Sequence, residues 1–169
     1  MKYLLTFIII FIGTVFFVGN KYSDSCGTFS KEANTYRMSG ELDQAENSLK
    51  YYKWCSTLTL QKLGTPYYYH LGWLRSDQKR YTESVEALKK AISIQPNYTW
   101  AYWRLGVTYK NMNEYDLSDK YLAKAAETGL STLGDEFINI LNNYPNIATD
   151  LKKYTSNNQF KRDAAGGAP

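Results

Sequence analysis

A block from Tyr67 to Gly129 repeats itself with a period of about 34 residues, a spacing that marks a supersecondary unit burying its apolar face against copies of itself. Leu71-Gly72 recur as Leu105-Gly106, Tyr81 as Tyr115, Ser84 as Ser118, Leu88 as Leu122 and Ala91 as Ala125. Each pair keeps its character, small for small and apolar for apolar. That narrows the fold to a stack of short units and shifts the expected function to the surface the stack presents. Binding is the expectation for such a chain.

Within the first clear copy, Tyr68, Leu71, Gly72 and Arg75 share one helical face. A short break at Arg80-Tyr81-Thr82 follows, then a second apolar stripe of Tyr81, Val85, Leu88, Ala91 and Ile92. Pro96-Asn97 ends it, because proline cannot continue a helix. The second copy reads alike, with Tyr102, Leu105, Gly106 and Tyr109, then Tyr115, Leu122 and Ala125, closed by Gly129. Each unit is helix, short turn, helix. Gly72 and Gly106 each cost about 1 kcal/mol of helix propensity against Ala, tolerable where a neighbouring helix needs the room.

This order of residues resembles the tetratricopeptide repeat: aromatic, Leu-Gly, Tyr, then Ala, Leu or an aromatic, Ala, and a closing Pro. Here it runs Tyr68, Leu71-Gly72, Arg75, Ser84, Leu88, Ala91, Pro96, and again Tyr102, Leu105-Gly106, Tyr109, Ser118, Leu122, Ala125. Arg75, the two serines and Leu130 depart from the pattern. The resemblance implies an all-α solenoid of helical hairpins. A weaker copy surrounds Gly40–Ala45, with Ala45 standing one period and a short insertion before Ser84. The insertion fits in residues 56–65. Thr132-x-x-Asp135 reads as a capping-box-like start to a terminal helix carrying Phe137, Ile140, Leu141 and Tyr144. The expected layout is an anchor over residues 1–21 and a repeat domain over 22–154. Its repeats fall at about 26–59, 65–98 and 99–130, with capping helices at 132–154 and a flexible tail at 155–169.

Tyr3 to Gly19 carry no charge and are flanked by Lys2 and Lys21. Seventeen residues is the short edge of a membrane-spanning helix, roughly 17–25. It also exceeds a secretory signal's apolar core of roughly 7–15. Phe17 stands where a cleavage site wants a small residue, which favours an uncleaved transmembrane anchor over a signal peptide. Lys2 then keeps the N-terminus cytoplasmic and sends the repeats to the periplasmic or extracytoplasmic side. The alternative is a secreted or periplasmic protein released by cleavage.

The net charge of +4 is spread without a basic stripe, so nucleic acid is not an expected partner. Cys26 would open the first helix of the divergent repeat and Cys55 close its second. Because those helices run antiparallel, the two cysteines either bridge, which suits an oxidising compartment, or pack as small buried hydrophobes.

Little in the chain carries chemistry. A single histidine, His70, and two widely separated cysteines make no zinc pattern, and no phosphate-binding or nucleophile-elbow motif occurs. No enzyme activity, metal or cofactor is expected. By the resemblance, the first helices of successive repeats line a concave face, which selects Tyr69, Trp73, Trp100, Trp103, Arg104 and Lys110 as a partner-binding groove. Asn34, Arg37 and Met38 would extend it. Clustered Trp, Tyr and Arg are the composition of binding hot spots. The competing reading packs these aromatics between first helices or against the extra terminal helix. Repeats that clamp acidic chaperone tails need Lys and Asn where Ser30, His70 and Trp100 stand, so that ligand is not expected. The functional expectation is a non-enzymatic, membrane-anchored scaffold or assembly factor binding a peptide or subunit of a larger envelope assembly. An integral accessory subunit of a membrane complex is the runner-up.

Overall fold

The computed structural model describes residues 26–164, with side chains through residue 155. All regular structure among them is helical: α1 (residues 26–38), α2 (Leu42–Leu58), α3 (Thr65–Asp77), α4 (Tyr81–Ile94), α5 (Thr99–Asn111), α6 (Tyr115–Thr132), α7 (Asp135–Asn143) and α8 (Pro145–Ala164). They pair as hairpins α1/α2, α3/α4 and α5/α6, with two terminal helices after them. The predicted span Tyr3–Gly19 lies outside the described residues. Among the described residues no helix is long and apolar enough to cross a membrane.

The same turn closes the first helix of every hairpin. Gly40, Lys79 and Asn113 adopt left-handed φ values of 83°, 60° and 63°. After each, the next N–H reaches back to a carbonyl five residues earlier: Glu41 to Tyr36, Arg80 to Arg75 and Glu114 to Tyr109, at 2.8, 2.8 and 3.0 Å. These bonds satisfy carbonyls that a helix end leaves open. Tyr36, Arg75 and Tyr109 are therefore equivalent positions. The interval from Gly40 to Lys79 exceeds that from Lys79 to Asn113, as the insertion read from the sequence requires.

The described residues form two compact units, divided after His70. In the first, Cys26 and Cys55 are joined by a disulfide with Cα atoms 5.7 Å apart, tying the start of α1 to the last turn of α2. Ala33, Ala45 and Leu49 form its buried interior, and Tyr52 stacks on Tyr67 with ring centroids 5.5 Å apart.

The second unit explains the repeated Leu-Gly pair. A Cβ on Gly72 would lie 2.6 Å from Leu88 Cγ, and one on Gly106 would lie 2.7 Å from Leu122 Cγ. Both glycines let a second-helix leucine seat against the first helix. Leu88 and Leu122 are buried in consequence, each worth about 2 kcal/mol of transfer free energy. Leu74 is a core residue that the sequence pattern passed over, while Leu71, expected inside, is only half-buried. The serine at position 84 has a partner. Thr108 donates to the Arg104 carbonyl at 2.9 Å, leaving its oxygen to accept the Ser84 hydroxyl at 3.2 Å.

Three boundaries differ from expectation. Thr132 ends α6 instead of capping the next helix, and its hydroxyl donates to the Thr128 carbonyl at 2.7 Å. Gly134, at φ 55°, makes the corner before α7. Gly129 is interior to α6, where its missing side chain leaves room for the Phe137 ring. Finally, α8 begins at Pro145 and runs through Ala164, so most of the predicted tail at 155–169 is helical backbone.

Candidate functional site

The inner side of the second unit is built on α5. Spacings of three and four residues put Trp100, Trp103, Arg104 and Val107 on one side of that helix, and Trp73 reaches it from α3. Trp73 and Trp103 meet edge to face at 5.7 Å, and Trp100 meets Trp103 likewise at 6.4 Å. Perpendicular rings set the positive edge of one indole against the negative face of the next. The Arg104 guanidinium lies 4.7 Å from the Trp73 ring centroid and forms an ion pair with Asp77 at 2.5 Å. Trp73, Trp100, Trp103, Arg104 and Lys110 are thus brought into one neighbourhood.

That face is covered by the chain's own terminal helices. Phe137 of α7 packs against Trp100 at 6.3 Å, and Leu141, Ala148 and Leu151 join Trp103, Leu122 and Ala125 in a single core cluster. Polar bonds hold α8 in place. Asp150 accepts from Trp103 Nε1 at 3.2 Å and from Lys110 Nζ at 3.1 Å. On the first turns of α6, Asp119 accepts from the Tyr154 hydroxyl and from Lys153. Those two donors hold the Asp119 carboxyl below the usual range, while burial and the Asp119 bond raise the Tyr154 hydroxyl above its own.

The predicted groove is corrected on these grounds. Trp103 and Arg104 retain only 7% and 9% of their surface, so neither offers area to a partner. Trp103 belongs to the core, and truncating it would open a cavity there. Tyr69 is buried in the first unit, edge-on to His70. Trp73 and Trp100 are half-buried, and Lys110 is exposed. The competing reading, in which the aromatics pack against a terminal helix, is the one these contacts support. The apolar periodicity of α8 is weak beside its Lys, Asn and Thr content, which leaves the two readings undecided in the sequence. In α1, Arg37 donates to Asn34 at 3.0 Å, and Asn34 reaches the Met38 sulfur at 3.6 Å. His70 is pulled down to a pKa of about 4, first by burial and then by the Arg37 charge, so it is neutral at physiological pH. Among the described residues no group of His, Cys, Asp and Glu is placed to hold a metal ion.

Comparison with known proteins agrees with this architecture. A family model described as TPR repeat matches residues 74–113, and one described as Tetratricopeptide repeat matches residues 101–128. Among solved structures, the crystal structure of MamA is similar to the chain with a TM-score of 0.55 and 22% identity, covering 89% of this chain and 86% of that one. At that identity the likeness concerns the fold alone. No curated protein matches the chain. Repeats of this kind are generally non-enzymatic modules that bind other proteins. Residues 74–113 and 101–128 thus match tetratricopeptide repeats, a type of repeat that generally serves in protein–protein interaction.

Proposed function

We propose that this protein is a membrane-anchored scaffold that presents its repeats to a peptide or subunit of a larger envelope assembly. The observation that carries the scaffold reading is the contact of Gly72 with Leu88 and its recurrence one period later at Gly106 and Leu122. Repetition of one packing contact builds an array, and arrays of this kind act through the surface they display. The anchor reading draws support from the uncharged segment Tyr3–Gly19 with its flanking lysines. The Cys26–Cys55 bridge fits repeats on an oxidising, extracytoplasmic side. The partner face is the open rim of the aromatic cluster, formed by Trp73, Trp100 and Lys110.

A second reading, an integral accessory subunit of a membrane complex, is favoured by α8. A face closed by its own chain suits a brace whose contacts are made elsewhere.

Carbonate extraction of membranes followed by intact-mass measurement tests the anchor. An uncleaved chain that stays in the pellet, two mass units light for the disulfide, is the expected result. A soluble chain beginning between Asn20 and Cys26 would make the protein secreted or periplasmic instead.

A further inference from the structure

The last turns of α2 expose an apolar surface that the repeat core does not use. Tyr51, Trp54 and Leu58 stand three and four residues apart on the side of α2 opposite Ala45 and Leu49, and each is more than half exposed. Beyond the helix end, Leu60 is 86% exposed and holds a left-handed φ of 54°. That conformation is strained for a leucine, whose Cβ crowds the following carbonyl oxygen. Its backbone is fixed there by the turn that closes α2, where Gln61 N–H reaches the Ser56 carbonyl at 2.8 Å. The turn thus presents an aliphatic side chain to solvent at the open end of the hairpin, where the disulfide joins α1 to α2.

Two further observations identify what covers this surface. The first is charge. Lys50, Lys53 and Lys62 surround the stripe and are exposed, and no Asp or Glu occurs between Asn47 and Ser76. Indole, phenol and lysine around a few leucines match the headgroup region of a bilayer, where amphipathic rings settle and lysines meet phosphates. The second is tether length. The disulfide fixes Cys26 beside Cys55, one residue from Trp54. Residues 20–25 alone separate Cys26 from the end of the apolar segment Tyr3–Gly19. Seven peptide units extend at most roughly 25 Å. Wherever that segment is inserted, Trp54, Leu58 and Leu60 are held within reach of the same membrane surface.

We propose that Tyr51, Trp54, Leu58 and Leu60, ringed by Lys50, Lys53 and Lys62, form a docking surface for the headgroup region of the phospholipid bilayer that receives Tyr3–Gly19. The proposal rests on the anchor reading. Docking at this end orients the first hairpin against the membrane.

The test uses the full chain reconstituted into phospholipid vesicles, some with acyl chains brominated close to the headgroup. The expected result is flotation with the vesicles, together with a component of tryptophan emission that the bromines quench and that Trp54→Phe abolishes. Leu58→Glu with Leu60→Glu should abolish that quenching while flotation is kept. Flotation without any Trp54-dependent quenching overturns the docking and leaves the anchor standing. A Trp54 signal that depends on protein-to-lipid ratio and ignores bromine also overturns it, because a second copy of the chain is then the occupant. Failure to float removes the anchor, and the docking falls with it.

Discussion

The indole of Trp103 donates to the Asp150 carboxylate of α8 across 3.2 Å, and Lys110 reaches the other oxygen of the same group at 3.1 Å. Asp150 is largely buried while Lys110 is exposed, so the indole bond is the stronger contributor. One acid on the terminal helix therefore ties down two residues of the aromatic side of α5.

Asp150→Ala should lower unfolding stability by about 1–3 kcal/mol, because it strands a buried indole donor as well as removing an ion pair. Asp150→Asn keeps an acceptor for Trp103 and should cost under about 1 kcal/mol. Urea denaturation measures both. Equal losses for the two variants would mean that the ion pair with Lys110, not the indole bond, secures α8.

Gly106→Ala should destabilise by about 1–3 kcal/mol despite the better helix propensity of alanine, since its Cβ meets Leu122 at 2.7 Å. Gly129→Ala meets the Phe137 ring at 2.5 Å and should behave alike, with added loss of α7 protection in hydrogen exchange. Gly27→Ala is the control, because among the described residues, its chain neighbours and own helix backbone aside, nothing lies within 4 Å of the added Cβ. A neutral Gly106→Ala would show that the hairpin packs more loosely than this account holds.

The hairpins were legible because their packing contact is written into the sequence twice at one spacing. Gly72 with Leu88 and Gly106 with Leu122 reveal both the small position and the large one. The divergent first hairpin has Ala33 and Leu49 in those roles, so its turn at Gly40 located it better than its apolar pattern did. The terminal helices were harder to read. Thr132 followed by Asp135 imitates a cap, yet α6 runs on through Thr132, and the turn is made by Gly134. The aromatic cluster was visible as composition, but composition does not say which face the chain covers for itself. Ala148, Asp150 and Leu151, three ordinary residues of a polar helix, decide that.

Stability should depend on pH through His70. Its folded pKa of about 4 lies below the ordinary value of 6.5, so the unfolded chain binds more protons between those limits. Stability is then fully present above about pH 6.5 and falls as the pH drops towards 4, by at most about 3 kcal/mol. Below that window both states are protonated and His70 contributes no further slope. His70→Gln should flatten the profile over this interval. An unchanged slope in the variant would assign the pH dependence to other groups.

The most direct test of the scaffold reading places a photoreactive amino acid at position 110, on the exposed rim, and in parallel at position 124 of α6. Lys124 forms its ion pair with Glu127, one turn away on the same helix, so its replacement serves as the matched surface control. Irradiated in native membranes, position 110 should give a protein adduct of one defined mass, and position 124 should give none. Adducts at position 124 without any at 110, or capture at 110 confined to the chain's own α8, would contradict a partner face on this rim.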